Sequence, residues 1–176
     1  MTEKSIILIG MAGVGKSTIG ASLARVLDFS FIDVDRYIEE KEGKKLQQII
    51  DDQGDKAMLE LEKRRMHEVE LAGKVVAPGG SIIYHADLME HLKQSSVLVY
   101  LHDSLENIEE KLSGGMGRGI VGLKDKSLKQ IYQERTPLYA EYADITINCP
   151  GKSMTQIVEE IRRRYTEVDK LSPRTD

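Results

Sequence analysis

The sequence predicts an α/β fold in three layers, a five-stranded parallel sheet flanked by helices. Two observations carry this. Short runs rich in β-branched residues alternate along the chain with stretches of helical period. The first run, Ser5-Ile6-Ile7-Leu8-Ile9, is almost wholly apolar and breaks into a glycine-rich turn, as a strand buried on both faces does.

Taken in order, residues 5–9 form the first strand. A helix follows over about 16–27, with Ile19, Leu23 and Leu27 on one face. Phe31-Ile32-Asp33 is a second short strand. Helical stretches come next, over about 34–42, 46–53 and 55–72, the last with Leu61, Met66 and Val69 as apolar candidates. Val75-Val76-Ala77 is the third strand and ends in Pro78-Gly79-Gly80. Val97–Leu101 is the fourth and Ile145–Ile147 the fifth. Between these two, Pro137 is expected to interrupt a helical run. A final helix over about 153–168 carries Ile157, Ile161, Tyr165 and Val168 at helical spacing. Residues 1–170 form one domain, and the polar tail 171–176 is expected to fray.

Composition closes several doors. The 176 residues are 40% hydrophobic, enough for a real core. Twenty-five Lys and Arg stand against 29 Asp and Glu, for a net charge of −4. That gives no bulk electrostatic case for nucleic acid or an anionic membrane. The longest apolar stretch, Ile6–Gly15, is half the roughly 20 residues a membrane span needs. Glu3 before it and Lys16 after it do not suit a signal peptide. The single cysteine, Cys149, cannot pair within the chain and suits a reducing cytoplasm. His67, His85, His91 and His102 show no metal-ligand spacing, and Arg162–Arg164 read as a solvated helix face. No feature points to a protein partner.

The strongest chemical signal is Gly10-Met11-Ala12-Gly13-Val14-Gly15-Lys16-Ser17, which fits G-x-x-x-x-G-K-[ST] between a strand and a helix. Gly10, Gly13 and Gly15 let backbone N–H groups curl around phosphate oxygens, and the helix N-terminus adds partial positive charge. Lys16 should reach the β- and γ-phosphates. Ser17, with Thr18 beside it, should ligate Mg²⁺. The expected ligand is therefore ATP with Mg²⁺.

Asp33 and Asp35 stand at the C-terminal edge of the second strand, beside the crevice where such sheets bind ligands. One suits Mg²⁺ held through water and the other a base for an attacking hydroxyl. Either suits equally well as the cap of the helix beginning near Arg36. Gly114, Gly115, Gly117, Gly119 and Gly122 surround Arg118 and rule out a stable helix there, which suits a lid over about 112–124. Arg135 offers a planar guanidinium that suits a carboxylate or phosphate.

These pieces, in this order, resemble the shikimate kinases across about residues 4 to 165. The resemblance implies a P-loop kinase fold of the nucleoside-monophosphate-kinase-like branch. It implies transfer of the ATP γ-phosphoryl to a hydroxyl of shikimate or a related carboxylate-bearing alcohol. It gives Asp33 to Mg²⁺ and Asp35 to the acceptor hydroxyl as base. Gly79 and Gly80 contact the acceptor through backbone N–H groups. Arg118 faces the γ-phosphoryl, Arg135 (in the intact Arg-Thr-Pro-Leu-Tyr139 segment) holds the acceptor carboxylate, and Lys111 lies against adenine. The helices over about 34–72 would bind the acceptor.

Three positions depart from the family pattern. Leu59 stands where the pattern has an Arg that shares the acceptor carboxylate. Losing such a contact costs about 1.5–3 kcal/mol, unless Lys56 or Lys63, at i−3 and i+4, replaces it. Ser81 replaces the third Gly of the turn. Gly119 replaces a lid Pro, which is expected to raise the entropic cost of closure. The ATP half is intact and the acceptor half is edited. Two other readings remain: a nucleotide-binding module without turnover, and a kinase for another acceptor such as a nucleoside monophosphate.

Overall fold

The computed structural model describes residues 4–116 and 119–171. Five parallel strands form one sheet: β1 (Ser5–Ile9), β2 (Ser30–Asp33), β3 (Lys74–Ala77), β4 (Ser96–His102) and β5 (Ile145–Asn148), in the order β2-β3-β1-β4-β5. β1 is central. It pairs Ile6 with Val75 on one side and with Val97 on the other. Alternation along β1 builds two cores. Ile7 and Ile9 face one cluster, and Ile6 and Leu8 face the other.

Seven α-helices among the described residues make the outer layers: α1 (Lys16–Leu27), α2 (Val34–Glu42), α3 (Leu46–His67), α4 (Ala86–Ser95), α5 (Leu105–Lys111), α6 (Leu128–Tyr142) and α7 (Met154–Leu171). Ile19 and Leu23 of α1 and Ile157 and Ile161 of α7 fill one core. Ile49, Met58 and Met66 of α3, Leu88 of α4 and Ile131 of α6 fill the other. The three-layer expectation holds. Among the described residues no helix is long and apolar enough to cross a membrane, and no group of three or more His, Cys, Asp or Glu could hold a metal ion.

Several local expectations change. The stretches 46–53 and 55–72 run as one helix kinked at Gly54 (φ +85°), ending at His67, so Val69 lies beyond it. Pro137 does not interrupt its helix, because α6 runs on to Tyr142. Thr136 Oγ donates to Tyr132 O at 2.7 Å in the same turn. The glycine segment opens as a π-helical turn over Leu112–Met116 that continues α5, so Gly114 does sit in helical structure. α4 and α5 were not anticipated by the apolar periodicity. Cys149 is buried, and burial pushes its thiol up to about 11.

Every strand delivers a cavity-lining segment at its C-terminal end. The phosphate loop follows β1, Asp33 ends β2, Pro78-Gly79-Gly80 follows β3, Asp103 follows β4, and Cys149-Pro150-Gly151 follows β5. That edge is where open parallel sheets bind ligands.

Candidate active site

The phosphate loop bends where the sequence placed it. Gly10, Gly13 and Gly15 all have positive φ (+146°, +81° and +104°), which a side chain rarely adopts. Lys16 Nζ donates to the Gly10 and Met11 carbonyls at 2.7 and 3.0 Å, so the ammonium lies across the loop. Burial lowers its pKa to about 8, with Asp35, Asp33 and Glu62 opposing that shift.

Asp33 caps its helix and also meets the phosphate loop. Its Oδ1 accepts from the Arg36 N–H at 3.1 Å and so caps α2, while its Oδ2 accepts from the Ser17 hydroxyl. Asp35 caps nothing. It sits in the first turn of α2 and lines the cavity. Burial raises its pKa to about 6, helped by Asp33 and Glu39 and opposed by Lys16.

That cavity, of about 260 Å³, lies between the loop, the α2 and α3 helices, and the turn after β3. It brings together Gly13, Gly15, Lys16, Ser17, Thr18, Asp33, Asp35, Gly79, Gly80 and Arg135, all expected site residues. Arg135 is 2% exposed. Its Nη2 donates to Val121 O at 2.8 Å, its Nε donates to the Tyr84 hydroxyl at 3.2 Å, and the guanidinium lies 5.2 Å from the Tyr84 ring centroid. The Tyr139 hydroxyl, one turn on, donates to Gly80 O at 2.5 Å. The guanidinium and the turn are thus locked together.

A second cavity, of about 290 Å³, lies across the loop and shares Gly15 and Thr18 with the first. Lys111 lines it, with its Nζ held by Asp103 Oδ2 at 2.7 Å. Asp103 is 3% exposed and also accepts from Asn107 Nδ2 at 2.7 Å.

Arg118 lies outside the described residues. The lid segment after it is docked. Ile120 and Val121 are buried against the core that holds Leu46, Ile49 and Met58. The Gly119 N–H donates to Gln47 Oε1, and the Gly122 N–H to Asp55 Oδ2, both at 2.9 Å. The docked path depends on Gly119. Its φ is +84°, and an added Cβ would stand 2.6 Å from Leu46 Cβ. A proline, fixed near −65°, does not fit this path, so glycine is required for docking.

Neither Lys56 nor Lys63 stands in the cavity beside Arg135. Lys63 Nζ is held by Asp87 Oδ2 at 2.6 Å, Lys56 is exposed, and neither lines the cavity. Leu59 is half-buried against the core.

Sequence reasoning missed Glu62. It is 1% exposed and lines the cavity, and Ser81 Oγ donates to its Oε2 at 2.7 Å. Burial raises its pKa to about 8, helped by Asp35 and opposed by the Ser81 hydrogen bond, Arg135 and Lys16. The available signal was its place as the last residue of the Gly54–Glu62 segment that resembles the family pattern, where it was given no role. Tyr139 was quoted only as part of a motif, yet its spacing of four from Arg135 puts the two on one helix face.

Phosphate loop, hydroxyl, paired carboxylates and buried guanidinium around one cavity suit phosphoryl transfer to a small anionic alcohol. The comparisons agree. The family model for shikimate kinase matches residues 12–166. Shikimate kinase of Persephonella marina is 38% identical over 163 residues, covering 92% of this chain and 98% of its own. That of Sulfurihydrogenibium sp. is 36% identical, covering 90% and 95%. The solved shikimate kinase of Acinetobacter baumannii, in complex with shikimate, superposes with a TM-score of 0.86 at 29% identity and 96% coverage of both chains. With cavity, order of motifs and relatives in accord, the chain belongs to the shikimate kinase family, phosphotransferases that use ATP and an alcohol acceptor.

Proposed function

We propose that this chain transfers the γ-phosphoryl of ATP to a hydroxyl of shikimate or a close hydroxy acid, with Mg²⁺. The observation that carries the reading is one cavity in which Asp35 and the buried Arg135 both meet the phosphate loop. The acceptor hydroxyl oxygen bonds to the γ-phosphorus, the bond from that phosphorus to the ADP oxygen breaks, and Asp35 takes the hydroxyl proton. Arg135 holds the acceptor carboxylate in a bidentate grip. The backbone N–H groups of Gly79 and Gly80 orient it. Gly10, Gly13, Gly15, Lys16, Ser17 and Thr18 bind the phosphates, and Lys111 borders the adenine. Arg118 supplies charge to the transferring phosphoryl.

Hard oxygen donors suit Mg²⁺, and the Ser17 hydroxyl beside the Asp33 carboxylate gives such a pair. When bound, the ion neutralises phosphate charge. Asp33 then orients Ser17 while still capping α2.

The test is initial-rate ADP release with shikimate, other hydroxy acids, nucleoside monophosphates and no acceptor, each with and without Mg²⁺. The reading predicts Mg²⁺-dependent turnover with a carboxylate-bearing alcohol. Turnover with nucleoside monophosphates alone, or with no acceptor tried, overturns it.

A further inference from the structure

The two edits flanking Glu62 are physically connected. Leu59, three residues earlier on α3, offers no charge to it, and Ser81, in the turn after β3, donates to its Oε2 at 2.7 Å. That bond fixes one carboxyl oxygen and leaves the other, Oε1, buried and without a partner. Oε1 is aimed at Gly79, and so is Asp35 Oδ1, which stands 2.8 Å from where a Cβ on Gly79 would sit.

We infer that Ser81 and Glu62 form a specificity device of this chain's own: Ser81 positions Glu62 so that Oε1 carries a proton and donates a hydrogen bond to an oxygen of the acceptor. The inference rests on the phosphotransfer reading above.

An ionised Glu62 would set two carboxylates against one point of a buried site and would leave Oε1 with no donor. A neutral acid relieves the repulsion and turns Oε1 into a donor facing the cavity. The groups around it come from every neighbouring element. Asp35 on α2 favours the neutral form, while Lys16 on α1 and Arg135 on α6 oppose it. The Tyr139 hydroxyl on α6 is itself neutral, because burial raises its pKa above the ordinary value. His85 Nε2 lies 3.9 Å from Oε2, and burial lowers the His85 pKa, so it stays uncharged near neutrality.

Glu62, at about 8, is neutral at pH 7 and donates to an acceptor oxygen. An acceptor with a hydroxyl or carboxylate oxygen toward α3 satisfies Oε1. One with only an apolar group there leaves the buried O–H unpaired and is disfavoured.

The test follows the acceptor KM from about pH 6 to about pH 10 in the wild type, Glu62→Gln and Ser81→Ala, alongside a ¹³C NMR titration of the Glu62 carboxyl. In the wild type, the acceptor KM rises about tenfold per pH unit above about 8, while acceptor-saturated kcat does not follow it. Glu62→Gln, which keeps a donor at every pH, removes that rise. Ser81→Ala raises the acceptor KM about tenfold and moves the limb upward, because the hydrogen bond that favours the ionised form is gone. A flat wild-type KM, a rise that survives in Glu62→Gln, or a Glu62 signal already ionised at neutral pH overturns the inference. If no acceptor is turned over at any pH, the phosphotransfer reading fails, and the NMR titration in wild type and Ser81→Ala still decides Glu62.

Discussion

Replacing Gly79 by alanine probes the acceptor site with one methyl group. Gly79 has φ −60° and ψ 158°, which alanine adopts without strain, so the backbone contributes no penalty. The effect comes from the added carbon. It would stand 2.8 Å from Asp35 Oδ1 and closer still to Glu62 Oε1, so one or both carboxyls must move. Overpacking of this kind costs about 1–3 kcal/mol. Expressed at the transition state, that is a roughly 5- to 160-fold fall in kcat/KM for the acceptor. Gly79 does not line the second cavity, so the nucleotide dissociation constant should stay within about twofold. The assay is coupled ADP release with the acceptor varied, beside nucleotide titration and urea unfolding to show that the variant is folded. A folded Gly79→Ala enzyme that keeps acceptor kcat/KM within about twofold of wild type refutes the placement of Asp35 and Glu62.

Three further outcomes are expected. Acceptor kcat/KM falls about tenfold per pH unit below about 6, because Asp35 must be ionised to take the proton and burial has raised its pKa to about 6; an acid limb near 4, or turnover by Asp35→Asn, contradicts this. Leu59→Arg lowers the shikimate KM by roughly ten- to a hundredfold, since Lys56 and Lys63 leave that charge unreplaced; an unchanged KM contradicts it. Gly119→Pro releases the lid, because the ring cannot take φ +84° and the N–H to Gln47 is lost; undocking by about 2 kcal/mol speeds exchange of the Gly122 amide, now held by Asp55, about 30-fold, and unaltered exchange contradicts it.

What the sequence disclosed, and what it hid, follows from the range of the forces involved. β1 and α1 were legible because burial on both faces demands an apolar run and the phosphate loop fixes where the helix starts. Asp33 was legible only as a choice between cap and site. The fold shows the cap on one carboxylate oxygen and a bond from Ser17 on the other. Position 119 was legible only in part. Its glycine reads as chain entropy, while docking against Leu46 adds a positive φ that no local pattern reveals. Glu62 was hidden for the same reason. A glutamate in a charged helix reads as solvated until a hydroxyl 19 positions away is placed against it. α6 ran through Pro137 because neighbouring packing holds the turn that proline weakens.

The central claim is that one buried guanidinium, Arg135, recognises the acceptor carboxylate in this chain. The most direct measurement compares kcat/KM for shikimate with that for its methyl ester. A lost charge-assisted contact of about 1.5–3 kcal/mol predicts a fall of roughly ten- to over a hundredfold for the ester in the wild type, and little difference between the two acceptors in Arg135→Gln. Equal turnover of acid and ester by the wild-type enzyme would contradict it.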